Sequence, residues 1–264
     1  MEKPMELWEL DKFLDNAISE NCQVINLSHR GLTIVTDRLQ KAKDTRILLL
    51  NHNKLLMPPE ELCSLSSLTE LILDNNMLTM FPSGISSLSR LRVLSASHNP
   101  FVALPEDLGQ LVSLRCLWLV ECQLVSIPSS LGNLRRLKTL GLGHNEISAI
   151  PEELCELQCL MWLGLNNNHM KELPSNIGRL SELVYLNLND NRFSSVPIEL
   201  QELPSLVSLF IRRNSINSLP EDTILALSFL SYLDIRENGI HRRPEEWKGL
   251  DFILVGTDED NEND

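Results

Sequence analysis

Leucine or isoleucine recurs at Leu137, Leu140, Leu142, Ile147, Ile150, Leu154 and Leu157, with Asn145 after the L-x-L pair and Pro151 opening a Glu-rich tail. Shifted by 23 residues, this template matches again and again in both directions. Ten copies start at Cys22, Thr45, Leu68, Leu91, Leu114, Leu137, Leu160, Leu183, Leu206 and Leu230, and only the last interval is 24 residues. A self-similar period of this length marks stacked repeats, in which each unit buries its apolar side chains against its neighbours. Within L-x-L, alternate residues such as Leu186 and Leu188 point inward, as a short strand requires. Such strands stack in parallel ~4.8 Å apart, so ten of them predict roughly 45 Å of curved sheet.

Two polar columns accompany the leucines. Asparagine stands at Asn53, Asn76, Asn99, Asn145, Asn168, Asn191, Asn214 and Asn238. Turned inward, its amide can donate and accept, satisfying backbone groups where the chain leaves the strand. Pro59, Pro82, Pro105, Pro128, Pro151, Pro174, Pro197, Pro220 and Pro244 open the return limb, where a fixed φ suits an extended turn or a helix start. The ends depart from the template. Leu7, Leu10, Leu14, Ala17 and Ile18 share one helical face over residues 6–20, which predicts an amphipathic helix within 1–21 capping the first repeat. The repeats then occupy 22–251, a closing strand is expected at 252–256, and the acidic tail 257–264 is expected to be disordered. Arg30 and Thr36 replace Asn and Pro in the first repeat, Pro58 replaces Leu in the second, and Cys122 replaces Asn in the fifth. The extra residue near 223–227 is expected on the outer side, where insertions are tolerated.

The template L-x-x-L-x-L-x-x-N-x-L-x-x-L-P-x-x-L-x-x-L-x-x resembles the leucine-rich repeat family over nearly the whole chain. Its 23-residue L-P-x-x-[LI] form, and the opening INLSHRGLT at 25–33, are similar to the intracellular Ras-suppressor-like class. The resemblance implies an α/β solenoid, a curved horseshoe with a parallel concave sheet and a helical or irregular convex limb. It also implies a signalling scaffold whose protein partner is a small GTPase, a kinase or a phosphatase.

Composition narrows the chemistry. A formal charge of −13 argues against non-specific nucleic-acid or anionic-membrane binding, and no run reaches the ~18 apolar residues of a membrane span. The N-terminus has no apolar signal core. Cys22, Cys63, Cys116, Cys122, Cys155 and Cys159 form no C-x-x-C or zinc spacing and read as free thiols, which fits a reducing, cytoplasmic setting. Nuclear action through the acidic tail is the variant of that reading. No P-loop, H-E-x-x-H or G-x-S-x-G motif is found, so neither catalysis nor a cofactor is expected. His29, His52, His98 and His144 all precede the Asn column; His29 and His52 could approach a metal, but no third ligand column accompanies them.

The exposed strand positions carry the functional signal, because nothing in the repeat dictates their identity. Trp118, Trp162, Tyr185, Phe210 and Tyr232 fall there in repeats five to ten. Contiguous exposed aromatics mark a protein interface, with mutual packing along the sheet as the bland alternative. Gly141 and Gly164, at equivalent positions, are expected to leave a low floor beside Trp118 and Trp162. Arg115 and Lys138 flank the strand starts, and Arg212, Arg213 and Arg236 gather at the far end, among Glu121, Asp190, Asp234 and Glu237. These ten aromatic and basic residues are the candidate partner-binding site. The rival function is a structural, self-associating repeat protein that dimerises through the aromatic patch, which light scattering across a concentration series would reveal. An enzyme-linked repeat domain is a third class, but ten repeats and two caps leave no residues for a catalytic unit.

Overall fold

The computed structural model describes residues 4–240 and 242–257. The expected tail, beyond Thr257, lies outside the described residues. The described residues form one curved sheet of eleven parallel strands in sequence order, from β1 (Val24–Asn26) to β11 (Ile253–Leu254). The period sets the register. Leu94, Leu117, Leu140, Leu163, Leu186 and Leu209 are each the partner of the next across adjacent strands, and all are fully buried. Every strand between the two ends therefore inserts its leucines between two identical rows, which is how a 23-residue unit too small for its own core becomes stable.

The return limb is built mainly of single 3-10 turns such as Glu106–Gln110, Ser129–Asn133 and Glu152–Glu156, each with the column proline as its first cap. The proline's fixed φ suits that entry and its missing N–H costs nothing there. The extra residue of the ninth repeat widens this turn into an α-helix, Glu221–Ala226, on the outer side. At the N-terminal end the helix α1 (Leu7–Ser19) lays Leu10, Leu14 and Ala17 on the first repeat. Leu7 departs from the expected face and is half exposed. Arg38 fastens the helix to that repeat, reaching Asp15 at 2.6 Å and Asp11 at 3.2 Å.

The asparagines form a hydrogen-bonded ladder inside the turn. Asn145 Oδ1 accepts the N–H groups of Cys122 and Leu124, both at 3.0 Å. Its Nδ2 donates to the carbonyls of Leu119, Leu142 and Gly143 at 2.8, 2.9 and 3.1 Å. Cys122 reproduces this poorly. Its thiol donates to Ala96 O at 3.4 Å but offers no amide oxygen, and the Phe101 N–H bonds locally to Asn99 O instead. Burial pushes this thiol up to about 12, so it stays protonated as a donor.

The column before asparagine has its own cause. His29, His52, His98 and His144 share a left-handed backbone with Asn75, Asn167 and Asp190, and with Glu121, Arg213 and Glu237, at φ from 49° to 58°. Histidine, asparagine and aspartate tolerate that conformation better than most residues. His29 and His52 stack at 4.2 Å between ring centroids. Turn geometry accounts for this column without a ligand.

Candidate partner-binding face

Strand positions whose side chains point away from the leucine rows face the concave surface. Trp118 ends β5 (Cys116–Trp118), Trp162 opens β7 (Trp162–Gly164), Tyr185 opens β8 (Tyr185–Asn187), Phe210 ends β9 (Ser208–Phe210) and Tyr232 opens β10 (Tyr232–Asp234). All five lie on this surface and are half-buried. Their rings join into one ladder. Successive centroids stand 5.1, 5.4, 4.8 and 5.0 Å apart from Trp118 to Tyr232, and Trp162 with Tyr185 is stacked at 10°. Offset and tilted pairs at this spacing are favourable beyond simple area burial. Partial burial raises the phenol pKa of Tyr185, and of Tyr232, where the Asp234 carboxylate adds to the effect. Both tyrosines therefore stay neutral hydrogen-bonding groups at physiological pH.

The glycines do not leave the expected floor open. A Cβ on Gly141, which ends β6 (Thr139–Gly141), would lie 2.8 Å from Cζ3 of Trp118 and closer still to Cε3. A Cβ on Gly164 would lie 2.8 Å from Cζ3 of Trp162. Each indole thus lies over a glycine, one on the next strand and one on its own. The gap is filled, and the glycines hold the rings flat. Gly141→Ala should push Trp118 off the sheet, shifting tryptophan emission to the red and weakening near-ultraviolet circular dichroism, while the melt loses about 1 kcal/mol or less. Unchanged spectra would show that the ring does not rest there.

The basic candidates divide. Arg236 donates from Nε to Asp234 Oδ1 at 2.9 Å and from Nη2 to Oδ2 at 2.7 Å, a bidentate pair. Arg212 Nε stands 4.0 Å from the same carboxylate, whose side chain is only 2% exposed. Both guanidiniums balance a buried charge as well as bordering Tyr232. Arg213 has left-handed φ and faces Asp190 at 3.7 Å. Arg115 and Lys138 sit apart from these, exposed at the strand-start edge. Strand spacing in the sequence disclosed the ring ladder. The Asp234 clamp was concealed because its partners come from positions two residues along and one repeat back.

Comparison with known proteins agrees with the fold. The family described as "Leucine-rich repeat region" matches residues 126–213. The leucine-rich repeat protein LIC12759 of Leptospira interrogans superposes with a TM-score of 0.70 at 29% identity, over 86% of this chain and 64% of that one. The fold is a leucine-rich repeat solenoid. The ectodomain of the membrane receptor kinase GASSHO1/SCHENGEN3 from Arabidopsis thaliana, solved with CASPARIAN STRIP INTEGRITY FACTOR 2, gives a TM-score of 0.73 at 33% identity over 89% of this chain and 29% of that one. The plant peptide hormone receptor RGFR1, solved with RGF2, gives 0.63 at 26% identity over 82% and 40%. The solenoid thus spans less than two thirds of the length of each of these chains. No curated protein matches the sequence. The family match and these neighbours support a leucine-rich repeat family. Among the described residues no helix is long and apolar enough to cross a membrane.

Proposed function

We infer that the solenoid is a non-catalytic scaffold that holds a folded protein partner against the ring ladder of its concave face. The observation that carries this is the unbroken contact from Trp118 to Tyr232 across six adjacent strands, with every ring left half-exposed. A core would have buried these rings, and a plain solvated sheet would hold polar residues instead. Aromatic and arginine side chains are the usual anchors of protein interfaces. The partner-binding set is Trp118, Trp162, Tyr185, Phe210 and Tyr232, with Arg115, Lys138, Arg212, Arg213 and Arg236 around them.

Six free cysteines favour a reducing compartment, so the scaffold is assigned to the cytoplasm, with the nucleus as the alternative. The 23-residue L-P-x-x-[LI] form supports the Ras-suppressor-like class. On that resemblance the partner is a small GTPase, a kinase or a phosphatase in a signalling pathway. Trp162→Ala combined with Tyr185→Ala should abolish partner capture from native tissue while the melt remains cooperative, each single change costing more than about 1 kcal/mol of binding. An unchanged set of captured proteins would remove the concave face from the account.

A further inference from the structure

One residue before each strand, the backbone runs as a continuous rung across the repeats. Thr69 N bonds to Arg46 O, Arg92 N to Thr69 O, Arg115 N to Arg92 O and Lys138 N to Arg115 O, each at 2.8 Å. Continuing in the same way, the rung passes through Met161, Val184 and Val207. The edge is therefore cationic at repeats two, four, five and six, with Thr69 at repeat three, and apolar over repeats seven to nine. Arg90 and Arg136, two residues before Arg92 and Lys138, thicken the cationic half. A groove of about 860 Å³ runs along it, lined by Arg46, Arg90, Arg92, Arg115 and Arg136, with Asp44 as its acid.

This arrangement is unfavourable on its own terms. Arg92, Arg115 and Lys138 occupy adjacent rungs ~4.8 Å apart, and like charges directly opposite one another destabilise a sheet. All three are exposed, and none has a carboxylate at ion-pair distance among the described residues. Elsewhere the chain does supply such partners, as for Arg38 and Arg236. A protein of charge −13 nonetheless concentrates unpaired cations along one edge.

We propose that this groove docks an acidic segment of the partner protein, carrying three or more carboxylates in a short run. The charge of the groove fits such a segment, while the rest of the acidic surface would repel it, so the contact would steer and orient the partner. A nucleic-acid strand carries charge along its whole length and would meet the acidic surface beyond the groove, which a short acidic run does not. The inference rests on the scaffold reading, since it names the partner's chemistry, but its test reads a different surface from the ring ladder.

The probe is a fluorescein-labelled peptide of ten glutamates, followed by anisotropy with the full chain at low salt and at about 0.15 M salt. Binding is expected at low salt, weaker at the higher salt, and about ten-fold weaker in Arg92→Glu/Arg115→Glu. The milder Arg92→Gln/Arg115→Gln should weaken it less. Trp162→Ala/Tyr185→Ala should bind the peptide as the parent does, which separates this proposal from the concave-face reading. Arg135→Glu, whose guanidinium bonds to Glu156 at 2.7 Å away from the groove, serves as the control. No binding at low salt, equal binding by the double charge reversal, or an equal loss in the control would overturn the proposal. Tighter binding of a ten-nucleotide single strand than of the peptide would overturn it as well.

Discussion

Leu163→Asp is expected to abolish the cooperative melt. Leu163 is fully buried between Leu140 and Leu186 of the neighbouring strands, with no polar side chain in that row. The exchange removes about 2–5 kcal/mol of leucine packing. It also places a carboxylate where no donor can reach it, which costs several kcal/mol more or forces its protonation. Together these approach the whole ~5–15 kcal/mol that a domain has to lose. A solenoid makes the outcome worse, because each repeat is held only by its two neighbours and a failed middle unit uncouples both halves. Circular dichroism during heating should show a broad, early loss of signal. A sharp transition within a few degrees of the parent would mean that the stacked-leucine account of stability is wrong.

Asn145→Ala should cost about 3–5 kcal/mol. One side chain satisfies two buried N–H groups, those of Cys122 and Leu124, and three carbonyls. Alanine removes the one oxygen that both donors share, at about 1–3 kcal/mol for each unsatisfied group. The fifth repeat shows how the ladder fails. Where Cys122 stands, the Phe101 N–H has found a local carbonyl at 2.8 Å, so relaxation recovers part of the loss. Chemical denaturation would measure the difference, and a cost under about 1 kcal/mol would show that the ladder is ornamental to stability.

The repeat made the architecture legible because a fixed period determines register, curvature and which side chains face inward. The concave set was legible for the same reason: Trp162 and Tyr185 open neighbouring strands and must stand side by side. Side-chain direction was not legible. The indoles of Trp118 and Trp162 could lean to either side, and only the absence of a Cβ at Gly141 and Gly164 lets them lie flat. Nor did the sequence disclose that Asp234 is buried and clamped by Arg236, because an acid on an exposed strand position reads as solvated. The histidine column posed the opposite difficulty. Its spacing let His29 and His52 approach a metal but gave no third ligand column, and the left-handed backbone accounts for the column through turn geometry.

A partner seated on the aromatic concave face should be captured there by photocrosslinking. A photoreactive phenylalanine at Ser208, on the strand between Tyr185 and Tyr232, would report on that face. The same group at Glu153, on the convex limb, would report on the other. The account predicts that the partner is captured from position 208 and not from 153, and that Trp162→Ala/Tyr185→Ala erases the capture. Capture from 153 alone, or capture from 208 that survives the double change, would contradict it.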